Sequence, residues 1–253
     1  MSAPRSRRPR PRLFPTDPDA PDQAVPLLVH LIELRTRLIR ASIGLLITTV
    51  IGFFYSQQLL DLFLALKPKN LNVNIQVVEV TERFTTYFRV SLTAGIILAM
   101  PLLIYEILGF LSPGLRPNER RWLIGGLPLV ILFFTAGVIF AYLLLLPNAM
   151  SFLLGFGSQD IINNILLSKY ISFVTTFLLM VGLVFELPPV MFMLAKLGVV
   201  SAKRMAGFRR YAIVLIVIIA AIITPTPDPF NQMAVAIPMY ILYELGILFA
   251  RFA

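Results

Sequence analysis

Three glutamates, Glu106, Glu186 and Glu244, stand inside blocks of sequence that are otherwise almost wholly apolar. A carboxylate in hydrocarbon is costly, so each must face protein or a water-filled cavity, with a partner or a bound proton. Function is the first hypothesis for Glu186, which lies deepest and is followed by Pro188 and Pro189. That pair should break or kink its helix and widen a cavity around the carboxylate. For Glu106 and Glu244, hydration near the interface is the competing account. The three fall on alternate apolar blocks, each toward the same side, and could form one acidic layer. Other chemistry is scarce. His30 has no second histidine or carboxylate at ligand spacing, and the chain has no cysteine, so no metal site is expected. Phosphate-cradling glycine loops, nucleophile elbows and paired catalytic carboxylates are missing too. The reading is therefore no enzyme and no cofactor.

The elements that carry these residues follow from composition. Hydrophobic residues make up 58% of the 253 residues and charged ones 14%, against about 25% charged in a soluble domain. The apolar residues gather in long blocks, near 38–55, 90–111, 123–146, 171–195, 212–224 and 233–250, which predicts six transmembrane helices and an all-α polytopic membrane protein. Residues 1–26, rich in Pro, Arg and Asp, predict a disordered basic tail, leaving 27–253 as the membrane domain. Arg7 and Arg8 are not read as an export signal, because prolines follow and the first apolar run starts far downstream. Leu27 to Leu38 alternates apolar and charged residues at helical spacing, which predicts a surface-lying amphipathic helix ahead of the first span. Pro101 and Pro128 should bend two other helices.

Charge sets the orientation. With the tail and every second loop on one side, that side holds seventeen of the 22 lysines and arginines, and the other only Lys67, Lys69, Arg83, Arg89 and Lys169. The positive-inside rule then puts both termini in the cytoplasm. The net charge of +9 is thus a topology signal and does not call for nucleic acid. The fifth block is short: its dozen or so apolar residues cover about 18 Å of a hydrocarbon core about 30 Å thick. Pro225, Pro227 and Pro229 prevent its extension, so local bilayer thinning is expected.

Four segments carry a family resemblance. HLIELRTRL (30–38), FLSPGLRPNERR (110–121), FELPP (185–189) and TPTPDPFNQMAVAIPMYILYELG (224–246) resemble, in order and topology, the signatures of TatC, the signal-receptor subunit of twin-arginine protein translocases. The similarity spans roughly residues 27 to 252. It implies a curved six-helix bundle with a concave face in the cytoplasmic (inner) membrane. It implies a receptor for the twin-arginine signal peptides of folded proteins, working with single-span TatA-type and TatB-type partners and driven by the protonmotive force. Self-association within the receptor complex is implied as well. By position, Glu33 and Glu119 match the family's acidic residues that receive the arginine pair. Charge-assisted fork geometry suits that task. Arg35 lies in the same motif. Arg120 and Arg121 would anchor the loop to anionic lipid headgroups and orient Glu119. Phe110, Pro113 and Leu115 would shape that loop. Glu186 matches the family's intramembrane glutamate, and Thr224, Asp228 and Gln232 match polar positions where partner helices dock. TPTPDP is one residue longer than the TPPD form common in the family, which loosens the transfer onto Thr224 and Asp228. A proton-coupled small-solute transporter is the alternative, since carboxylates on three helices could relay protons. It lacks repeated halves and a substrate cluster.

Overall fold

The computed structural model describes residues 27–68, 73–111, 124–155, 163–224 and 229–253. The expectation of a disordered tail over 1–26 lies outside them. The apolar blocks fold as helices, as hydrocarbon demands, because each backbone group left unpaired in lipid costs several kcal/mol. In chain order these are α1 (Leu27–Phe54), α2 (Ser56–Leu64), α3 (Glu82–Leu111), α4 (Leu127–Phe140), α5 (Leu146–Gly155), α6 (Leu167–Val184), α7 (Leu187–Lys196), α8 (Ala202–Gly207), α9 (Arg209–Ile223) and α10 (Pro229–Arg251).

Among the described residues, five helical stretches are long and apolar enough to cross a membrane: His30–Phe54, Glu82–Phe110, Leu127–Gly155, Leu167–Lys196 and Gln232–Arg251. The chain is an integral, multi-pass, helical membrane protein. The short block is α9, whose 15 residues rise only about 22 Å. It falls below the length of a standard span, as its sequence foretold.

One expectation needs correction. No surface helix separates from the first span, because α1 runs unbroken for 28 residues. Neither Gly nor Pro interrupts residues 27–43, so nothing halts the helix at Leu38. At about 42 Å, α1 exceeds the hydrocarbon thickness and its first turns must stand clear of it. The all-α class holds, and one short strand pair accompanies the helices. Val73–Gln76 (β1) pairs in parallel with Asn163–Leu166 (β2), Val73 opposite Asn163 and Gln76 opposite Leu166. Two four-residue runs some ninety positions apart leave no periodic signal strong enough to read.

Pro101 lies inside the unbroken α3 and Pro128 in the first turn of α4, while the expected break after Glu186 is present. Pro188 and Pro189 open α7 just after α6 ends, splitting the fourth block in two. Between α4 and α5 the third block passes through a π-helical turn, Ala141–Leu145, where Leu146 N–H reaches back to the Ala141 carbonyl. Pro147 follows at once. Its ring would crowd the carbonyl four residues back, and the widened turn relieves that conflict.

Packing between the spans relies on small residues and on a central helix. α6 is the hub, with Ile171, Val174, Phe177 and Val181 buried against Val90, Leu146, Ile216 and Val235. α1 packs along α3 so closely that a Cβ at Gly95 would lie 2.8 Å from the Thr49 Cα and one at Gly52 2.8 Å from the Ser91 carbonyl oxygen. The Thr48 hydroxyl donates to the Gly95 carbonyl at 2.9 Å across the same seam. Backbones brought together by glycine, with a hydroxyl bridging them, are what membrane helices use where the hydrophobic effect cannot drive association.

Candidate functional site

On α1, His30, Glu33 and Arg37 recur at intervals of three and four and so share one face. That face meets the last two turns of α3. Arg37 is the hinge of the contact. Its Nε and Nη2 both donate to a single oxygen, Oε1, of Glu33, at 2.9 and 2.7 Å, while Nη1 donates to Oε2 of Glu106 at 3.1 Å. The guanidinium can lie this close to α3 because residue 109 is glycine: a Cβ there would come within 2.8 Å of the Arg37 Cζ. One turn earlier His30 stacks on Phe110, with ring centroids 4.3 Å apart and planes 24° from parallel.

Exposure grades across this cluster. The Glu106 side chain is 6% exposed, that of Arg37 19% and that of Glu33 27%. Two carboxylates and one guanidinium leave a net charge of −1. Glu33 uses only Oε1 for Arg37, which leaves Oε2 without a hydrogen bond among the described residues. Arg35, two residues on, is exposed on another face of the helix.

Glu106 and Glu244 each have a cationic partner of their own. Glu244 is held in a fork by Arg209, Nε to Oε1 at 2.7 Å and Nη2 to Oε2 at 2.8 Å, and accepts the Tyr240 hydroxyl at 3.0 Å. This ties the start of α9 to α10. Glu186, between α6 and α7, differs: it is 7% exposed and neither carboxylate oxygen has a hydrogen-bond partner. No hydrogen bond links the three acids to one another among the described residues. Each occupies its own setting.

At the far end of the α9–α10 hairpin, Thr224 is 5% exposed and donates its hydroxyl to the Ala220 carbonyl at 2.9 Å. Gln232 donates its amide to the Val217 carbonyl at 2.9 Å, clasping α10 to α9. Its Oε1 is left to accept from elsewhere. Pro113, Leu115, Glu119, Arg120, Arg121 and Asp228 lie outside the described residues.

Three participants escaped the sequence reading. Arg37 carried a signal, since it stands four residues after Glu33, the spacing of an intrahelical ion pair. His30 also shares that face, although its partner Phe110 is eighty residues away. Arg209 and Glu244 are 35 positions apart, and only the hairpin brings them together.

Comparison with known proteins places this geometry. Residues 29–238 match the family described as Sec-independent protein translocase protein (TatC). The chain is similar to the Sec-independent protein translocase protein TatC of Carboxydothermus hydrogenoformans, 39% identical over 91% of this chain and 95% of that one. It is likewise similar to the TatC proteins of Deinococcus radiodurans, 40% identical over 92% and 89% of the two chains, and Aquifex aeolicus, 37% identical over 90% and 96%. Among solved structures, a crystal structure described as the twin arginine translocase receptor TatC superposes with a TM-score of 0.76, at 36% identity over 88% of this chain and 98% of that one.

Proposed function

Because the chain belongs to the TatC family of Sec-independent protein translocase proteins, we propose that it acts as the receptor that takes the arginine pair of a twin-arginine signal peptide on Glu33 and Glu119. The supporting observation is the Glu33–Arg37–Glu106 cluster, one charge short of neutrality, with the Glu33 side chain 27% exposed and its Oε2 without a hydrogen bond among the described residues. An incoming guanidinium neutralises the cluster and completes a second charge-assisted bond on Glu33. Arg37 serves as the positioning residue: it fixes the Glu33 rotamer from below while holding the buried Glu106 neutralised.

Around that site the reading is as follows. The chain crosses the cytoplasmic membrane six times, with α9 as a short fifth span and both termini inside, and residues 1–26 form a disordered basic tail. The bundle is curved, with Glu186 on its concave face. Glu119 completes the arginine site, Arg120 and Arg121 bind lipid headgroups, and Phe110, Pro113 and Leu115 shape the loop. Arg35 contributes to the same surface. TatA-type and TatB-type single-span proteins dock on the α9–α10 hairpin near Thr224, Asp228 and Gln232, further receptor copies associate with it, and the protonmotive force drives export. The protein is a receptor and translocation scaffold with no catalytic residues.

Export of a twin-arginine reporter by a Glu119→Lys variant tests this. A cation there repels the signal's arginines and removes an acceptor, whereas a short basic loop on the cytoplasmic side tolerates another positive charge without changing topology. Expected is loss of export at unchanged protein level. Normal export by the Lys variant would remove Glu119 from the site.

A further inference from the structure

The end of the bundle opposite the Glu33 cluster holds a second polar feature. Arg89 lies 17 residues before Glu106 on α3, about 26 Å away along the helix. There α3 and α6 part to leave a cleft of about 500 Å³, lined by Phe84, Phe88 and Leu92 on its apolar side and by Thr86, Arg89, Lys169 and Ser172 among its polar groups. Both cations are solvent-accessible, and neither Arg89 nor Lys169 takes part in an ion pair among the described residues. Of the five basic residues that the sequence assigns to this side, Lys67, Lys69, Arg83, Arg89 and Lys169, two share this cleft. Thr86 adds an independent observation. It is 2% exposed, lines the cleft, and its hydroxyl oxygen has no hydrogen-bond partner among the described residues.

The nearest acid is Glu82, one helical turn before Thr86. Its carboxylate is saturated by backbone amides: Val78 N–H donates at 2.8 Å, Ser168 N–H at 2.8 Å and Glu79 N–H at 3.4 Å. These bonds occupy it, and it forms no ion pair with Arg89 or Lys169 among the described residues. The site thus combines two unpaired cations, an unused buried hydroxyl and an aromatic wall, at the level where a helix leaves the hydrocarbon.

From this arrangement we infer a binding site for a phosphate-bearing anion, occupied by the phosphodiester headgroup of an anionic phospholipid whose acyl chains lie along Phe84, Phe88 and Leu92. A free phosphate would use the same cations, but it would make no use of the aromatic wall, and the headgroup of a neutral zwitterionic lipid would bring its own cation to repel Arg89 and Lys169. The inference does not depend on signal binding, because it concerns the opposite end of the bundle.

The test uses the full-length protein purified in a neutral detergent. Phosphatidylglycerol, phosphatidylcholine and inorganic phosphate are added at matched concentration, and lipid retention is read by native mass spectrometry alongside the thermal midpoint. Each basic residue near a lipid surface is worth about a fivefold preference (about 1 kcal/mol), so Arg89→Gln/Lys169→Gln should lose phosphatidylglycerol by about twenty-five-fold at low salt, and Lys169→Gln alone by about fivefold. Thr86→Val keeps the shape and removes one hydrogen bond, and should lose about fivefold with little change in the lipid-free midpoint. Lys169→Gln decides the matter should the double variant misfold, because Lys169 is exposed. Unchanged phosphatidylglycerol retention in these variants, or equal retention of phosphatidylcholine, would overturn the site. Displacement of the lipid by inorganic phosphate at matched concentration would overturn the lipid as its occupant.

Discussion

Glu33→Gln separates the binding role of the cluster from its structural one. The Glu33–Arg37 pair is an exposed-to-intermediate contact one turn apart on a helix, and such pairs contribute about 0.3–0.5 kcal/mol. The amide still accepts from Arg37 through its oxygen, and Glu106 keeps its own bond to Nη1. The fold should therefore lose well under 1 kcal/mol, a shift in thermal midpoint of a few degrees at most. Signal binding changes far more. The cluster goes from a charge of −1 to neutral, and the bond offered by Oε2 ceases to be charge-assisted. Hydrogen bonds to charged groups are worth about 1.5–3 kcal/mol, so affinity for a twin-arginine peptide should fall between about tenfold and about a hundredfold. The assay is fluorescence anisotropy of a labelled signal peptide on the full-length protein in detergent, with a twin-lysine peptide beside it. Lysine cannot fork onto a carboxylate, so the two peptides should differ on the native protein and converge on the variant. Twin-arginine affinity within about twofold of native, at intact stability, would refute the assignment of Glu33, since a charge-assisted bond worth at least 1.5 kcal/mol cannot vanish so quietly.

Other outcomes follow from the same contacts. Gly109→Val should weaken signal binding without touching any carboxylate, because its side chain must displace the Arg37 guanidinium; a peptide titration against the native protein checks this. Gly95→Val should split α1 from α3, since its Cβ would sit 2.8 Å from the Thr49 backbone, at a cost of about 1–3 kcal/mol or more, read as a lowered thermal midpoint in detergent. Glu186→Gln should preserve more export than Glu186→Leu at matched expression, because an amide keeps the capacity for hydrogen bonding; equal loss in both would point to proton exchange instead. Cysteines near Gln232 should crosslink to single-span partners more than cysteines near Phe133 on α4, and equal yields would count against docking at the hairpin.

How much of this was legible in the sequence depended on the range of the interaction that carries each feature. Spans are local: a run of apolar residues states its own helix, and the prolines at 147, 188 and 189 state their own interruptions, although that at 147 takes the form of a π turn that no periodicity announces. The cluster at the head of α1 was half legible. Glu33 and Arg37 meet within one turn, but the third member, Glu106, and the stacking of Phe110 on His30 depend on how α3 returns against α1. The β1–β2 pair and the Arg209–Glu244 fork are set wholly by tertiary contact and left no trace in spacing.

The contrast among the three intramembrane acids takes that logic one step further. Glu106 and Glu244 lie near the ends of their helices, where arginines from neighbouring elements can reach them, and both are paired. Glu186 sits where Pro188 and Pro189, each under 2% exposed, deny the chain both a nearby donor N–H and room for a long cationic side chain. A proline has no N–H to give. The fold thus leaves this carboxylate unsatisfied while fixing its place between two helix ends. An unpaired buried polar group costs about 1–3 kcal/mol, a cost that a bound proton or a donor from outside the described residues would lower. A partner helix that brought such a donor would recover what the isolated chain forgoes.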